Sequence, residues 1–452
     1  MNLKLFVPLV VVWLAALSTG LADQPLRIAT FQVDATPPLG SPVAYAPARK
    51  ILDPLSARGI VLLPGEQPAI VLCAVDWLGI ANGSMDAWRE QLAAAAGTSV
   101  ERVTVHALHQ HDGVRCDFTA EAFLAEQGLG GLKHDVLFSR KTIANVAEAI
   151  RQSIREPRVV THLGVGQAKV EKVASNRRLL GPDGKVKIMR FSKSRDPQAI
   201  AAPEGVIDPY LRMLVFFHEE QPLVALSYYA THPQSYYGKG DVTSEFVGLA
   251  RGMREQELSV MHVHFNGASG NVAAGKYNDG STRMRPILAE RMATGMKLAW
   301  QSVERVPLTA QDVRWRTTEV ILPLGSHLVA EPLLAVLRDD KADATARLTA
   351  AKHLAWLRRT EAGTPLPLSC LQLGKVYVLH MPGELFVEYQ LAAQAMRPDD
   401  TVCMAAYGEY GPGYIGTEIS YTQGGYETSP RASRVSGASE RVLLDALEKL
   451  LK

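Results

Sequence analysis

The chain has 452 residues, 47% of them hydrophobic and 21% charged, with a formal net charge of +2. These are ordinary globular proportions, and they exclude a disordered or fibrous chain. The near-neutral balance, with no run of basic residues, sets nucleic-acid binding aside.

Lys4 precedes an almost wholly apolar run over 5–17, and Gly20-Leu21-Ala22 supplies small residues at the spacing of a cleavage site. The run is shorter than the roughly 20 residues that cross a bilayer. Residues 1–22 therefore read as a secretory signal peptide. Residues 23–452 read as one large exported domain, periplasmic or secreted. Four cysteines follow, Cys73, Cys116, Cys370 and Cys403. A fold of this size needs no covalent stapling, so most are expected as buried thiols, with room for one pair.

Beyond the leader, strand-like and helix-like stretches alternate. Residues 69–75 form a short β-rich apolar run, 85–95 have helical spacing, and 103–108 again suit a strand. Residues 138–154 carry apolar side chains three and four apart, as an amphipathic helix does. Two strands around the polar turn 218–221 are expected over 214–229. A strand follows at 259–265 and a long helix at 286–303. The Ala/Leu/Arg-rich stretch 331–359 reads as helical. A strand at 375–380 leads into a helix at 383–396, and an amphipathic helix at 439–451 closes the chain. This alternation predicts an α/β fold, with mixed β-sheets covered by helices in a single large catalytic domain. No internal repeat, low-complexity tract or linker is evident. The irregular stretches are 181–208 and the Gly- and Tyr-rich 407–437, and a long irregular stretch in a globular protein often builds a site.

The sharpest chemical signal is His106-Ala-Leu-His109-Gln-His111-Asp112-Gly113. It follows a strand, and residues two apart on a strand share a face, so His109 and His111 could reach one ion. Imidazole suits zinc, and a catalytic zinc commonly takes three protein ligands and keeps one position open. His232, in Ala230-Thr-His232-Pro233, also ends an apolar strand. Glu384 follows Met381-Pro382-Gly383, a turn expected to place it in the first turn of a helix, where the dipole favours a carboxylate without any function. Gly270-Asn-Val-Ala-Ala-Gly275-Lys276 has phosphate-loop spacing, but Tyr277 stands where Ser or Thr should be. The polar residues after it do not read as the required helix, and a nucleotide site is set aside.

Taken together, these segments resemble the catalytic domain of the neutral/alkaline non-lysosomal ceramidases. The resemblance rests on His109-Gln-His111-Asp-Gly113, Asn176-Arg177, Ala230-Thr-His232-Pro233, Pro382-Gly-Glu384-Leu385, Gly413-Tyr414 and Tyr426-Glu427, in that order. It implies His109, His232, Glu384 and Tyr414 as ligands of a catalytic Zn2+, with His111 beside them. Arg177 and Tyr426 would face the reacting carbonyl or the polar head of the substrate. The implied substrate is a small-molecule or lipid amide, an N-acyl sphingoid lipid above all, with peripheral membrane contact compatible with it. Oligomeric state carries no signal. Two departures stand out. Ala273 replaces the family's serine, and the chain ends after the helix that closes the catalytic domain, before the family's β-sandwich. Without that serine, the expected nucleophile is a water activated by zinc. His111 or Asp112 would carry the proton to the leaving group. Hydrolysis of another amide or ester, or metal-dependent binding without catalysis, are the alternatives.

Overall fold

The computed structural model describes residues 25–452, and within them three β-sheets follow one plan. The expected leader lies outside the described residues. In the first sheet, Leu26–Asp34, Ser56–Pro64 and Ile70–Val75 run antiparallel. Val103–Ala107 then joins parallel to Ile70–Val75 after the helix Gly83–Ala96. The second repeats this with His162–Lys169, Tyr210–His218 and Gln221–Tyr229, followed by the helix Glu245–Leu258 and the parallel strand Met261–Asn266. The third uses Val313–Val320, Leu366–Leu373 and Val376–His380, then the helix Val387–Met396 and the parallel strand Thr401–Ala405. A parallel neighbour cannot be reached by a tight turn, so each sheet needs its crossover helix.

Alternation along the strands sorts their side chains into two layers. Ile70, Leu72 and Ala74 face inward and join Leu214, Phe216 and Leu226 of the second sheet and Leu371, Val378 and Ala405 of the third in one shared core. Val71, Cys73 and Val75 face outward onto the helices Gly83–Ala96 and Val136–Ser153. Both faces are covered, which explains why this strand reads as an unbroken apolar run. The helices Glu245–Leu258 and Met284–Gln301 cover the second sheet. Val387–Met396 and Ser439–Leu451 cover the third. The expected α/β architecture of mixed, helix-covered sheets is thus present.

Several local expectations change. The stretch 331–359 is two helices, Ala330–Arg338 and Ala344–Glu361. The polar interval between them ends in Asp343, whose side chain caps the second helix by accepting from the amides of Thr345 and Ala346. All four cysteines are buried and free, so no pair forms. Lys276 of the phosphate-loop look-alike is tied down, its Nζ donating to the carbonyls of Ile200 and Ala202. Among the described residues no helix is long and apolar enough to cross a membrane.

One buried ion pair joins the first sheet to the helix Glu245–Leu258. Asp76, at the end of Ile70–Val75, accepts from both terminal nitrogens of Arg251, at 3.0 and 2.8 Å. It also accepts from the amide and hydroxyl of Ser56, at 2.8 and 2.7 Å. Burial opposes the charge on Asp76, and Arg251 outweighs it, holding the carboxyl below its ordinary pKa. Asp76→Ala would leave Arg251 buried without its partner. It is expected to lower the unfolding free energy by about 3–5 kcal/mol, read as a fall in the urea midpoint. Alkylation of the unfolded, unreduced chain should add an adduct at each of the four cysteines, read by intact mass.

Candidate metal centre

His109 lies just beyond Val103–Ala107, where the backbone leaves the strand. Its φ of 68° is left-handed, unusual for a residue with a Cβ. Two hydrogen bonds hold it there: its amide donates to the Trp77 carbonyl and its Nδ1 to the Leu78 carbonyl, both at 2.8 Å. The strand ends at Ala107, so His109 and His111 share a tight turn rather than a strand face, and the turn brings their Nε2 atoms to 3.0 Å. His232 follows Gln221–Tyr229, and its Nδ1 donates to the Ser269 carbonyl at 2.7 Å. Glu384 is not helical as expected. Glu384–Leu385 is a short strand paired with Tyr414–Ile415, and the helix begins only at Val387. That pairing brings the irregular Tyr-rich stretch against the carboxylate.

The His109, His232 and Glu384 side chains are all buried, with their ligand atoms within 4.8 Å of one another. Glu384 Oε2 lies 3.3 Å from His109 Nε2 and 3.0 Å from His232 Nε2. Since carbonyls take the Nδ1 protons, each neutral imidazole offers its Nε2 lone pair to the same point. Burial drives the His232 imidazole down to about pKa 4, so it is neutral at pH 7. Converging buried acceptors are costly unless a cation sits among them. A shared proton bridges two such atoms, whereas a metal ion reaches all three. The donor set therefore fits a metal ion.

A second layer surrounds these groups. The Tyr410 hydroxyl donates to Glu384 Oε1 at 2.6 Å. The Tyr414 hydroxyl lies 3.3 Å from His232 Nε2 and accepts from Arg177 Nη1 at 3.1 Å. Burial pushes the Tyr414 phenol well above its ordinary pKa, and Arg177 pulls it back. Arg177 Nε lies 3.1 Å from Glu427 Oε1, an ion pair too bent to be a hydrogen bond. Tyr426 is 37% exposed, and its ring stands edge-on to Tyr414 at 5.7 Å. His111 is only half-buried. Its Nε2 lies 3.0 Å from His109 Nε2, and its Nδ1 meets the Tyr45 hydroxyl at 3.0 Å. Asp112 points elsewhere, its Oδ1 accepting from the amides of Gly238 and Gly240. Ala273 is buried in a short strand pairing with Ser175, whose hydroxyl donates to the Ala273 carbonyl.

Sequence reasoning singled out the histidines and Glu384, but missed Tyr410 and the carbonyls of Leu78 and Ser269. Tyr410 stood within the flagged Tyr-rich stretch, and its neighbour Glu384 was the available signal. A backbone carbonyl has no signal in the sequence.

No family model matches the sequence, and no curated protein matches it. Among solved structures, the neutral ceramidase from Pseudomonas aeruginosa superposes with a TM-score of 0.69 at 18% identity, covering 95% of this chain and 75% of that one. A ceramidase complexed with C2 gives a TM-score of 0.68 at 16% identity, with the same two coverages. The chain thus has the fold of the neutral ceramidases.

Two outcomes follow from the geometry. Elemental analysis should find about one divalent ion per wild-type chain and almost none in Glu384→Gln, since a catalytic site of this type relies on three protein ligands. Unchanged metal content in that variant would remove Glu384 from the ligand set. The second concerns Glu409, which accepts from the amides of Asn82 and Gly411 at 2.9 and 2.7 Å and so anchors the Tyr410 loop. Burial, opposed by Arg359, raises its carboxyl from 4.5 to about 7. The folded state therefore favours protonated Glu409. That stability is fully present below about pH 4.5 and fades as pH rises through about 7. Wild-type protein should lose on the order of 3 kcal/mol more than Glu409→Gln across that interval, read from denaturant melts.

Proposed function

We propose that this protein is an exported zinc-dependent hydrolase that cleaves an amide bond, with His109, His232, Glu384 and Tyr414 as the ligands. The observation that carries this reading is the convergence of three buried ligand groups, the Glu384 carboxylate and two imidazoles whose Nδ1 positions are already engaged. Zinc held there would polarise a carbonyl and bring the pKa of a water toward about 7.

The chain's own residues do the rest. The carbonyls of Leu78 and Ser269 fix the imidazole tautomers. Arg177, buried against Glu427, donates to the Tyr414 oxygen and favours its deprotonation toward the ion. Tyr426 stands at the open side of Tyr414, placed to donate to an oxygen of the substrate as negative charge develops. His111, between Tyr45 and His109, is placed to move the proton to the leaving amine at Nε2. Asp112 Oδ1 is taken by the amides of Gly238 and Gly240, which favours His111 over Asp112 for that role. Position 273 has no hydroxyl, so water rather than a side chain attacks.

The likeness to the ceramidases supports a lipid amide, an N-acyl sphingoid lipid, as the substrate, with contact at a membrane surface. Ala273 favours a second reading, a metal-containing binding protein without turnover.

A panel of N-acyl amides including ceramide separates the two readings: hydrolysis of any member supports the first, and tight zinc binding with no turnover the second. If Tyr426 stabilises the developing oxyanion, Tyr426→Phe should lower kcat by about 10²–10³. A loss confined to KM would restrict Tyr426 to substrate binding.

A further inference from the structure

Beside the metal centre lies a second cavity, lined by Arg115, Lys352, Arg434 and His134 together with Tyr410 and Asp117. Tyr410 lines it while its hydroxyl holds Glu384. The Arg115 guanidinium stacks 5.7 Å over the ring of Tyr45, whose hydroxyl meets His111.

Two guanidinium groups and the Lys352 amine line the cavity, and none of them is held in an ion pair. Among the described residues, no carboxylate lies within ion-pair distance, 4.0 Å, of Arg115, Lys352 or Arg434. Asp117 is spent on local structure: it accepts from Asn82 Nδ2 at 2.9 Å and caps the helix Phe118–Ala125 through the Ala120 amide at 3.0 Å. Burial raises its carboxyl to about 6. Arg434 is 4% exposed. One of its nitrogens donates to the Gly411 carbonyl, but its Nε has no partner. His134 is 2% exposed, and its Nε2 has none either. Burial and the two guanidinium groups push the Lys352 ammonium well below its ordinary pKa.

Arg434 Nε and His134 Nε2, buried without partners, cost free energy that an anion accepting from them would recover. The cavity measures about 20 Å³. Since one water needs roughly 10–15 Å³, this suits the two oxygens of a carboxylate better than a phosphate ester. We infer that this cavity is a subsite for a carboxylate carried by the compound that the metal centre hydrolyses, which would make the preferred substrate an acidic N-acyl amide. This inference rests on the amide-hydrolase reading above and replaces its neutral sphingoid amide with an acidic one.

The test uses N-lauroyl derivatives of glycine, β-alanine and 4-aminobutyrate, each beside its neutral carboxamide. The three spacings allow for the distance across Tyr410. Hydrolysis breaks the lauroyl C–N bond, with the oxygen of water going to laurate and a proton to the amine. At one spacing the acid should show a KM about 10- to 100-fold below that of its carboxamide, as charge-assisted hydrogen bonds provide. The ratio should approach one in Lys352→Gln and in Arg115→Gln, the second variant standing in if the first fails to fold. Equal KM values for acid and carboxamide at all three spacings in the wild type would overturn the subsite. A preference that both variants retain would do the same. If no amide is hydrolysed, the hydrolase reading fails separately, and calorimetric titration with the same pairs decides the subsite. Tighter binding of the acid, lost in the variants, supports it, and equal binding rejects it.

Discussion

Two backbone carbonyls, those of Leu78 and Ser269, set the character of the whole site. By accepting the Nδ1 protons of His109 and His232, they turn both Nε2 lone pairs toward Glu384. Without them the rings could present donors to the carboxylate, and the cluster would be an ordinary hydrogen-bonded triad. With them it is a set of acceptors that needs a cation. The strained backbone at His109 has the same origin, since only the left-handed turn lets its amide reach Trp77 and its ring reach Leu78.

The carbonyls and the ligands are where they are because three sheets end at one place. Each sheet has an antiparallel set of strands followed by a parallel strand, and each contributes from a strand end: His109 from the first, His232 from the second, Glu384 from the third. Ligands of open α/β sheets gather at the carboxyl ends of strands for the same geometric reason. The strand ends that supply no ligand supply support. Asp76 ends Ile70–Val75 and holds Gln110, between the two site histidines, at 3.2 Å. Ser269 follows Met261–Asn266. Tyr407 follows Thr401–Ala405, and its hydroxyl bonds Ser269. The shared apolar core behind these ends makes their meeting rigid.

Charge is handled differently on the two sides of the centre. On the Tyr414 side, Arg177 and Arg178 share the buried carboxylate of Glu427, so each cation has an ion-pair partner within the chain. On the Tyr410 side, Arg115, Lys352 and Arg434 have no carboxylate within 4.0 Å among the described residues. Arg434 is the buried one of the three, and a buried charge left uncompensated is expensive to keep. The contrast between a wall whose cations are ion-paired and one whose cations are not is what makes a recognition role for the second wall physically reasonable.

The histidines able to bind a metal were legible in the sequence, because His at strand ends stands out by chemistry and local pattern, whereas Glu384 entered the ligand set only through the family resemblance. The alternation of strand and helix, and hence the α/β class, was legible for the same reason: it is written in the spacing of apolar residues. The common plan of the three sheets was not, because topology can repeat while the side chains that carry it diverge. The placement of Glu384 was misjudged as helical, since its pairing with Tyr414 joins segments distant along the chain. The break in 331–359 and the cap at Asp343 were hidden by a composition that suits a helix throughout. Above all, the tautomers of His109 and His232 and the cationic wall beside Tyr410 depend on which carbonyls and cations meet in space. Local sequence settles which atoms are available, but only tertiary packing decides which of them are already occupied.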